Sequence, residues 1–340
     1  MRYRAPRWLP GGHAQTIWPA TLGPRAQVAY QRERWTTPDG DFIDVDFAQP
    51  SGETDHRRAD AGGDSRPLVV LFHGLEGDSR SHYAVALMSQ VLRRGWRGAV
   101  AHFRGCSGEL NLAPRAYHSG DSEEIDWILR RFATEHARGA PLFAVGVSLG
   151  GNALAKWLGE RGTDAHFVSA AAVISAPQDL LAGAQSLSRG FNRIYTLSFL
   201  RTLKRKSLAK LVQYPGLFDR DRVLSSRDFF DFDDAVTAPM HGFHDCYDYW
   251  EKSSSRRLLR GIEVPTLLIN ARNDPFLPAD ALASPVEVSP AVTLDYPDQG
   301  GHVGFAGGRF PGRFDWIPTR VLGFFAEHLP STTRRETVDG

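Results

Sequence analysis

Short apolar runs alternate with longer segments of helical periodicity through most of this chain. Four runs rich in small and β-branched residues are predicted to be buried strands: residues 68–72, 97–103, 141–147 and 167–176. The segments after the first three carry apolar residues at helical spacing: residues 82–95, 119–137 and 149–162. Because each helix returns the chain across the sheet, this order predicts an α/β fold with a mostly parallel central sheet flanked by helices.

The alternation is interrupted once and then resumes. Residues 177–250 lack a strand pattern, and their first part, 187–212, is basic, aromatic and helical in spacing. Strand-like runs return at 264–276 and 292–297, and a closing helix is predicted within 314–328. The simplest interpretation is one α/β core that carries an inserted helical cap.

The predicted domain organisation follows from this interruption. The core takes residues 1–176 and 251–330, and the cap takes residues 177–250. The polar, glycine-rich segment 51–67 is predicted to be a surface loop, and residues 331–340 a flexible tail.

Composition argues against several classes of partner. The 340 residues carry a formal net charge of +1, which gives no general attraction to nucleic acid or to an anionic membrane. No run of about 20 apolar residues could span a bilayer, and the basic N-terminus lacks the apolar stretch of a signal peptide. Cys106 and Cys246 stand outside metal-ligand spacings. We expect a cytoplasmic protein with no nucleic-acid partner and no integral membrane segment; peripheral membrane contact and oligomeric state stay open.

One strand-to-helix junction carries a serine between small residues. The segment GVSLG (146–150) fits G-x-S-x-G and joins a predicted strand to a predicted helix. Such a turn strains the backbone at the serine and lifts its side chain above the sheet, and glycine neighbours leave room for it. The helix N-terminus at Leu149 favours negative charge at the same place. Ser148 is therefore the predicted nucleophile, although a glycine-rich turn with an incidental serine would give the same pattern.

A serine hydroxyl needs a base, which follows it along the chain in folds of this kind. Five histidines follow Ser148: His166, His241, His244, His302 and His328. His302 lies in a glycine-flanked loop after the last predicted strand, from which it can reach over the edge of the sheet. His166 precedes a strand and His328 lies in the closing helix, so both lie away from the serine. His302 is the predicted base, whereas His241 and His244 are predicted to be structural or to line the pocket.

The acid that orients this histidine has two candidates. Asp274 follows the strand-like segment TLLINARN, at the end of a strand where loops carry function. Asp179 follows the preceding strand, and it fits equally well as a helix cap that opens the insertion. The sequence favours Asp274.

An oxyanion hole needs a second backbone donor from a loop after an early strand. The segment LFHGLEGDS (71–79) fits, because a strand is followed there by His73 and glycine. The N–H groups of Leu75 and Leu149 are the predicted donors. His73 is predicted to brace this loop by hydrogen bonds rather than to act as a base.

Two segments of the cap allow more than one interpretation. The basic run RTLKRKSLAK (201–210) is typical either of one solvated helix face, which we favour, or of a phosphate or membrane contact. The aromatic run FNRIYTLSFL (191–200) fits the wall of an acyl-chain pocket and the small core of the cap equally well.

Further motifs extend over nearly the whole chain, roughly residues 8 to 328. They are GGHAQTIWP (11–19), RGCSGE (104–109), YHSGDSEEI (117–125), GVSLGGNALAKWLGE (146–160), FNRIYTLSFLRTLKRKSLAK (191–210), FDDAVTAPMHGFHDCYDYW (232–250), INARNDPFLP (269–278) and GGHVGF (301–306). Together they resemble the YheT-like α/β-hydrolases, a family of carboxylester hydrolases related to eukaryotic abhydrolase-domain esterases, phospholipases and yeast medium-chain ethyl-ester synthases. The resemblance implies the α/β-hydrolase fold, with Ser148 as nucleophile, Asp274 as acid and His302 as base.

The expected function is therefore a serine carboxylesterase that hydrolyses short- to medium-chain acyl esters. Two alternatives use the same three residues: acyl transfer to an alcohol instead of water, and phospholipase-like hydrolysis of a lipid. A non-catalytic binding module is a third alternative, since a fold does not fix a function. The expected partner is a small-molecule or lipid-like ester. No metal or organic cofactor is implied.

Overall fold

Eight strands form one sheet in the structure, a computed structural model that describes residues 2–50 and 64–330. In chain order they are β1 Ala29–Thr36, β2 Phe42–Gln49, β3 Leu68–Phe72, β4 Arg97–Ala101, β5 Leu142–Val147, β6 Ala170–Ile174, β7 Thr266–Ile269 and β8 Val292–Asp295. Their order across the sheet is β1-β2-β4-β3-β5-β6-β7-β8. The pairs β1–β2 and β2–β4 are antiparallel, and the remaining pairs are parallel. The predicted α/β fold is confirmed.

The described part of the chain also contains eleven α-helices. They are α1 Gly11–Thr21, α2 His82–Arg93, α3 Ser122–Arg131, α4 Leu149–Arg161, α5 Leu180–Leu187, α6 Arg193–Gln213, α7 Arg220–Ser225, α8 Phe229–Phe232, α9 Ala238–His241, α10 Cys246–Ser253 and α11 Trp316–Glu327. Among these described helices, none combines the length and the apolar character needed to cross a bilayer. The tail predicted at 331–340 and most of the loop predicted at 51–67 lie outside the described residues.

Alternate side chains of the central strands fill an apolar layer on each face of the sheet. In β3, Leu68, Val70 and Phe72 join the layer that packs against α3 and α4. Val69 and Leu71 point to the opposite layer, which packs against α2 and α11. Because both faces are covered by helices, the central strands are apolar throughout, which is the pattern that the sequence shows.

The first two strands carry a polar pattern of a different origin. Arg32 and Arg34 of β1 lie directly opposite Asp46 and Asp44 of β2. Each arginine donates two hydrogen bonds to its aspartate, at 2.7 and 2.9 Å for Arg32 and at 2.8 and 3.0 Å for Arg34. Cross-strand ion pairs thus hold this hairpin at the edge of the sheet, where an apolar run is not required.

Helices α5 to α10 all lie between β6 and β7, and we refer to them as the α5–α10 segment. This segment has an apolar cluster of its own, which contains Leu200, Phe218, Val223 and Phe232. The polar side chain of Asp233 is also buried in this segment. Its carboxylate accepts hydrogen bonds from the Trp250 indole at 2.9 Å and from the Thr237 hydroxyl at 2.6 Å.

Burial raises the pKa of the Asp233 carboxyl from 3.8 to about 6. The folded protein therefore holds this proton more tightly than the unfolded chain does. The contribution of Asp233 to the free energy of unfolding falls as the pH rises through the interval between these two pKa values. An asparagine can replace both contacts, because its carbonyl accepts from Trp250 and its amide donates to the Thr237 oxygen.

We predict that raising the pH from about 4 to about 7 increases the free energy of unfolding of Asp233→Asn by about 2 kcal/mol relative to that of the wild type. Urea denaturation of both proteins at the two pH values measures this difference. Asp221→Asn, at a side chain that is 93% exposed in the same segment, serves as the control and should show no such gain. An equal effect of Asp233→Asn at both pH values would contradict the prediction.

Candidate active site

The backbone at Ser148 adopts the strained conformation that the sequence predicts. Ser148 lies between the last residue of β5 and the first residue of α4, with φ 52° and ψ −117°. Residues with a side chain rarely adopt a positive φ of this kind. The Ser148 N–H donates to the Ile174 carbonyl of β6 at 2.8 Å, which ties the turn to the neighbouring strand.

Two glycines allow this turn to form. A Cβ atom on Gly146 would lie 2.5 Å from the Gly150 carbonyl oxygen, so a side chain there would collide with the start of α4. A Cβ atom on Gly150 would lie 2.5 Å from the His73 carbonyl oxygen and 2.6 Å from that of Phe72. The absence of both side chains lets α4 begin close against β5 and against the end of β3.

The structure brings the three predicted side chains together in one hydrogen-bonded chain. His302 Nε2 lies 2.9 Å from Ser148 Oγ, and His302 Nδ1 lies 2.9 Å from Asp274 Oδ2. The other Asp274 oxygen accepts the Phe276 N–H at 2.8 Å. The Asp274 side chain is 1% exposed and that of His302 is 10% exposed. An Nδ1–H donated to Asp274 leaves Nε2 free to accept the serine proton.

An aromatic ring that the sequence did not single out orients the histidine further. The Phe276 ring stacks on the His302 imidazole at a centroid distance of 4.1 Å and an interplanar angle of 22°. Phe276 follows Asp274 by only two residues, so one loop holds the imidazole both by its carboxylate and by its ring. This contact limits rotation of the imidazole about its Cβ–Cγ bond.

Helix α1 supports the loop that carries His302. The Thr16 hydroxyl oxygen accepts the backbone N–H of His302 at 2.9 Å and donates to the Gly12 carbonyl at 2.7 Å. Thr16 is 6% exposed, so no water replaces this contact readily. The motif GGHAQTIWP contains these residues, but its letters alone give no indication of this role.

Gln15, next to Thr16, links the loop of the acid to the loop of the histidine. Its side-chain oxygen accepts hydrogen bonds from Asn273 Nδ2 at 3.0 Å and from the Gly300 N–H at 2.9 Å. Asn273 Oδ1 in turn accepts the Gly301 N–H at 3.0 Å. Gln15 is fully buried. The residues just before His302 and Asp274 are therefore fixed to one another and to α1.

The structure places His73 as a brace, in agreement with the prediction. Its Nδ1 donates to the Gly74 carbonyl at 2.8 Å, and its Nε2 accepts the Phe103 N–H at 3.0 Å. Burial lowers the pKa of His73 to about 3, so the ring is neutral. Leu75 and Leu149 line the same pocket as Ser148. The N–H of Leu149 belongs to the first turn of α4, where backbone amides have no acceptor within the helix.

A charged network joins this loop to α6. Glu76 follows Leu75 and has a positive φ of 56°. Its backbone N–H donates to the Tyr117 hydroxyl at 2.8 Å, and that hydroxyl donates to Glu76 Oε1 at 2.9 Å. Lys206 of α6 donates to the same carboxylate oxygen at 2.7 Å. The backbone after Leu75 is therefore held from the core side and from α6.

The basic run of α6 divides between two faces of the helix. Lys206 donates to Glu76, and Lys210 donates to the Asn111 and Ala113 carbonyls at 2.7 and 2.9 Å. Lys204 donates to the Leu224 carbonyl at 2.8 Å and to the Ser226 carbonyl. Arg201 and Arg205 are exposed. The prediction that the basic run forms a solvated helix face is therefore confirmed for the two arginines. It is wrong for the three lysines, which bind other parts of the protein.

A pocket opens above Ser148 and His302. Its wall is mostly apolar and includes Leu75, Leu180, Leu187, Phe199, Leu203 and Val236. The aromatic run 191–200 is predicted to form either the pocket wall or a small core, and it contributes to both. Phe199 lines the pocket, and Leu200 lies in the core of the α5–α10 segment.

Two further histidines line this pocket. The His118 and His241 rings lie 4.5 Å apart, and burial lowers the pKa of each to about 3. Both are therefore uncharged at neutral pH. The sequence predicts that His241 and His244 are structural or line the pocket, and His241 does line it. His244 is 88% exposed and pairs with Asp245 at 2.9 Å.

The remaining candidates lie outside the hydrogen-bonded chain. Asp179 caps α5 by accepting the Ala182 N–H at 3.0 Å, which is the structural role that the sequence allowed for it. His166 is 55% exposed and lies 3.6 Å from a carboxylate oxygen of Glu263. His328 contacts the Phe324 carbonyl of α11 at 2.9 Å.

Comparison with known proteins places this site in a family. The family described as alpha/beta hydrolase fold matches residues 67–308. The chain is 38% identical over 319 residues to YheT of Escherichia coli (strain K12), a protein named as an esterase; the match covers 93% of this chain and 91% of YheT. It is 30% identical over 326 residues to phospholipase ABHD3 of Mus musculus, over 95% of this chain and 77% of that protein.

A solved structure shows the same fold. The esterase Pf2001 of Pyrococcus furiosus superposes with a TM-score of 0.53 at 14% identity, over 90% of this chain and 98% of that chain. At this identity the likeness concerns the fold alone. The sequence matches over most of the chain show that this protein belongs to the α/β-hydrolase family, among its YheT-like members.

Proposed function

We propose that this protein is a serine carboxylesterase that hydrolyses short- to medium-chain acyl esters. The observation that carries the proposal is the hydrogen-bonded chain from Asp274 through His302 to Ser148 at the base of an apolar pocket. A serine in this arrangement has both a base to accept its proton and an acid to orient that base. The names of YheT and of phospholipase ABHD3 support action on ester bonds.

The reaction proceeds in two halves. Ser148 Oγ attacks the ester carbonyl carbon while His302 Nε2 takes the hydroxyl proton, and the carbonyl oxygen becomes an oxyanion. The oxyanion accepts hydrogen bonds from the N–H groups of Leu75 and Leu149. The carbon–oxygen bond to the leaving alcohol then breaks, and His302 returns its proton to that alcohol. An acyl group remains esterified to Ser148.

Water completes the cycle by the same steps. His302 takes a proton from water as the water oxygen attacks the acyl carbonyl, and the free acid leaves when Ser148 regains its proton. Asp274 stabilises the positive charge on the imidazole in both halves. Over the whole cycle, the three side chains give one proton to the leaving alcohol and take one proton from water.

We predict that Ser148→Ala lowers kcat for p-nitrophenyl esters by about 10⁴-fold or more, because no other group can form the acyl-enzyme. Wild type is measured beside the variant on esters of graded chain length, and we expect an optimum at short to medium length. Ser225→Ala, at an exposed serine of α7, should match the wild type. Turnover that survives Ser148→Ala would overturn the proposed role of Ser148.

A second measurement tests the nucleophile without a choice of ester. A fluorophosphonate probe should label the wild type at Ser148 and leave Ser148→Ala unlabelled. Labelling without turnover at any chain length would favour the phospholipase-like alternative over the short-chain esterase. An unlabelled wild type would favour the non-catalytic alternative.

We predict that Thr16→Val lowers kcat by roughly tenfold with little change in KM. The variant leaves the His302 N–H without its acceptor, at a cost of about 1–3 kcal/mol, and loosens the loop that positions the imidazole. Steady-state kinetics on one ester separates kcat from KM. Thr16→Ser keeps the hydroxyl and should restore kcat. A kcat of Thr16→Val equal to that of the wild type would show that this hydrogen bond does not position the imidazole.

The apolar wall beside Ser148 favours a second candidate reaction, transfer of the acyl group to an alcohol. Leu75, Leu180 and Phe199 line this wall, where a short alcohol is bound more readily than water. We predict that added ethanol diverts part of the acyl-enzyme to the ethyl ester. Product analysis by chromatography measures acid and ester together, with Ser148→Ala as the control that forms neither. Free acid alone at every ethanol concentration would exclude this reaction.

A further inference from the structure

One face of α6 exposes apolar and basic side chains together. Positions 194, 197, 201, 205 and 212 fall on one side of the helix at 100° per residue, and we call Ile194, Leu197, Arg201, Arg205 and Val212 the outward strip. Ile194 is 55% exposed, Leu197 is 59% exposed and Val212 is 82% exposed. With 21 residues, α6 is about 30 Å long, and Ile194 and Val212 lie near its two ends.

The opposite face of α6 fixes this orientation. Lys206 and Lys210 donate to Glu76 and to the carbonyls of Asn111 and Ala113, while Leu200 is buried in the core of the α5–α10 segment. Rotating the helix to cover the outward strip would break these contacts. The apolar residues of the strip are therefore held in solvent by the packing of the other face.

The chain segment that contains the strip carries charge of one sign only. From Leu180 to Phe218 the sequence contains no aspartate or glutamate. Arg189 and Arg193 are exposed, as are Arg201 and Arg205 of the strip itself. None of these four arginines forms an ion pair with a carboxylate in residues 2–50 and 64–330. The segment 180–218 is therefore basic although the whole chain has a net charge of only +1.

The shape and charge of the strip restrict what can cover it. A second copy of this chain in a two-fold contact would place the same strip against itself, which brings Arg201 and Arg205 close to their own copies. A single convex helix fits poorly against another protein unless that protein offers a matching groove. A flat phospholipid surface needs no groove: it takes up apolar side chains between its headgroups, and anionic headgroups attract arginines.

We propose that the outward strip of α6 binds the surface of anionic phospholipid bilayers. The inward face of the same helix lines the pocket through Phe199, Leu203 and Lys206. A bound bilayer therefore lies beside the pocket, at the distance of one helix diameter. The proposal does not depend on the chemistry at Ser148, because it concerns binding alone.

The test is flotation of the full chain with lipid vesicles. Vesicles of phosphatidylcholine alone are compared with vesicles that contain about 30% phosphatidylglycerol, at low salt and at about 0.5 M NaCl. We expect binding to the anionic vesicles, weakened by salt, and little binding to the neutral ones. The Ser148→Ala chain should bind as the wild type does, which separates this test from any failure of the proposed esterase.

Paired variants identify the surface. Arg201→Gln with Arg205→Gln, and separately Ile194→Ser with Leu197→Ser, should each weaken binding roughly tenfold. Arg93→Gln with Arg138→Gln is the matched charge control. Arg93 ends α2 and Arg138 precedes β5, so both lie at the end of the sheet opposite to Ser148. Val286→Ser, at a 73% exposed residue before β8, is the matched apolar control.

Three results would overturn the proposal. The first is the absence of binding to anionic vesicles at low salt. The second is binding that the strip variants and the controls weaken equally. The third is a dimer in light scattering that the strip variants dissociate while no vesicle binding is seen, which would assign the strip to a second copy of the chain.

Discussion

The strained turn at Ser148 is the constraint on which the rest of the site depends. A φ of 52° costs about 1–3 kcal/mol at a residue with a side chain, and the sheet has to hold it in place. Ile174 of β6 accepts the Ser148 N–H, and Gly150 brings α4 against the end of β3. Because these strands are parallel, their carboxyl ends meet at one edge, and the loops after β7 and β8 can deliver Asp274 and His302 to the serine.

Those two loops are positioned from a remote part of the chain. Gln15 and Thr16 of α1 bind the backbone and side chains of both loops, across sequence separations of 258 to 286 residues. Helix α1 lies outside residues 67–308, which match the general family, so the segment that fixes the geometry of the site is not part of that match. The rigidity of His302 thus depends on a helix that contributes no reacting group.

Short sequence patterns predicted those parts of the structure that depend on neighbouring residues in the sequence. The buried central strands are apolar throughout, and the turn at Ser148 requires glycines on both sides, so both are visible in short windows of sequence. Strands β1 and β2 escaped prediction because the charged side chains of their cross-strand ion pairs interrupt the buried apolar residues of the hairpin. The supporting contacts of Thr16 and Phe276 also escaped, since a hydrogen bond between distant residues and a ring stacked on an imidazole have no periodicity.

The charged groups that line the pocket are already paired with other groups of the protein, so the pocket offers a substrate a mainly apolar environment. Lys206 is neutralised by Glu76, and Asp233 accepts from Trp250 and Thr237. The partners of these groups come from the protein, so a substrate gains little by displacing them, and burial of its apolar part provides the main gain in binding. The same helix that supplies Lys206 carries the outward strip. The contact between Lys206 and Glu76 that holds the backbone after Leu75 therefore also fixes the position of the outward strip beside the pocket. A shift of α6 would change both at once.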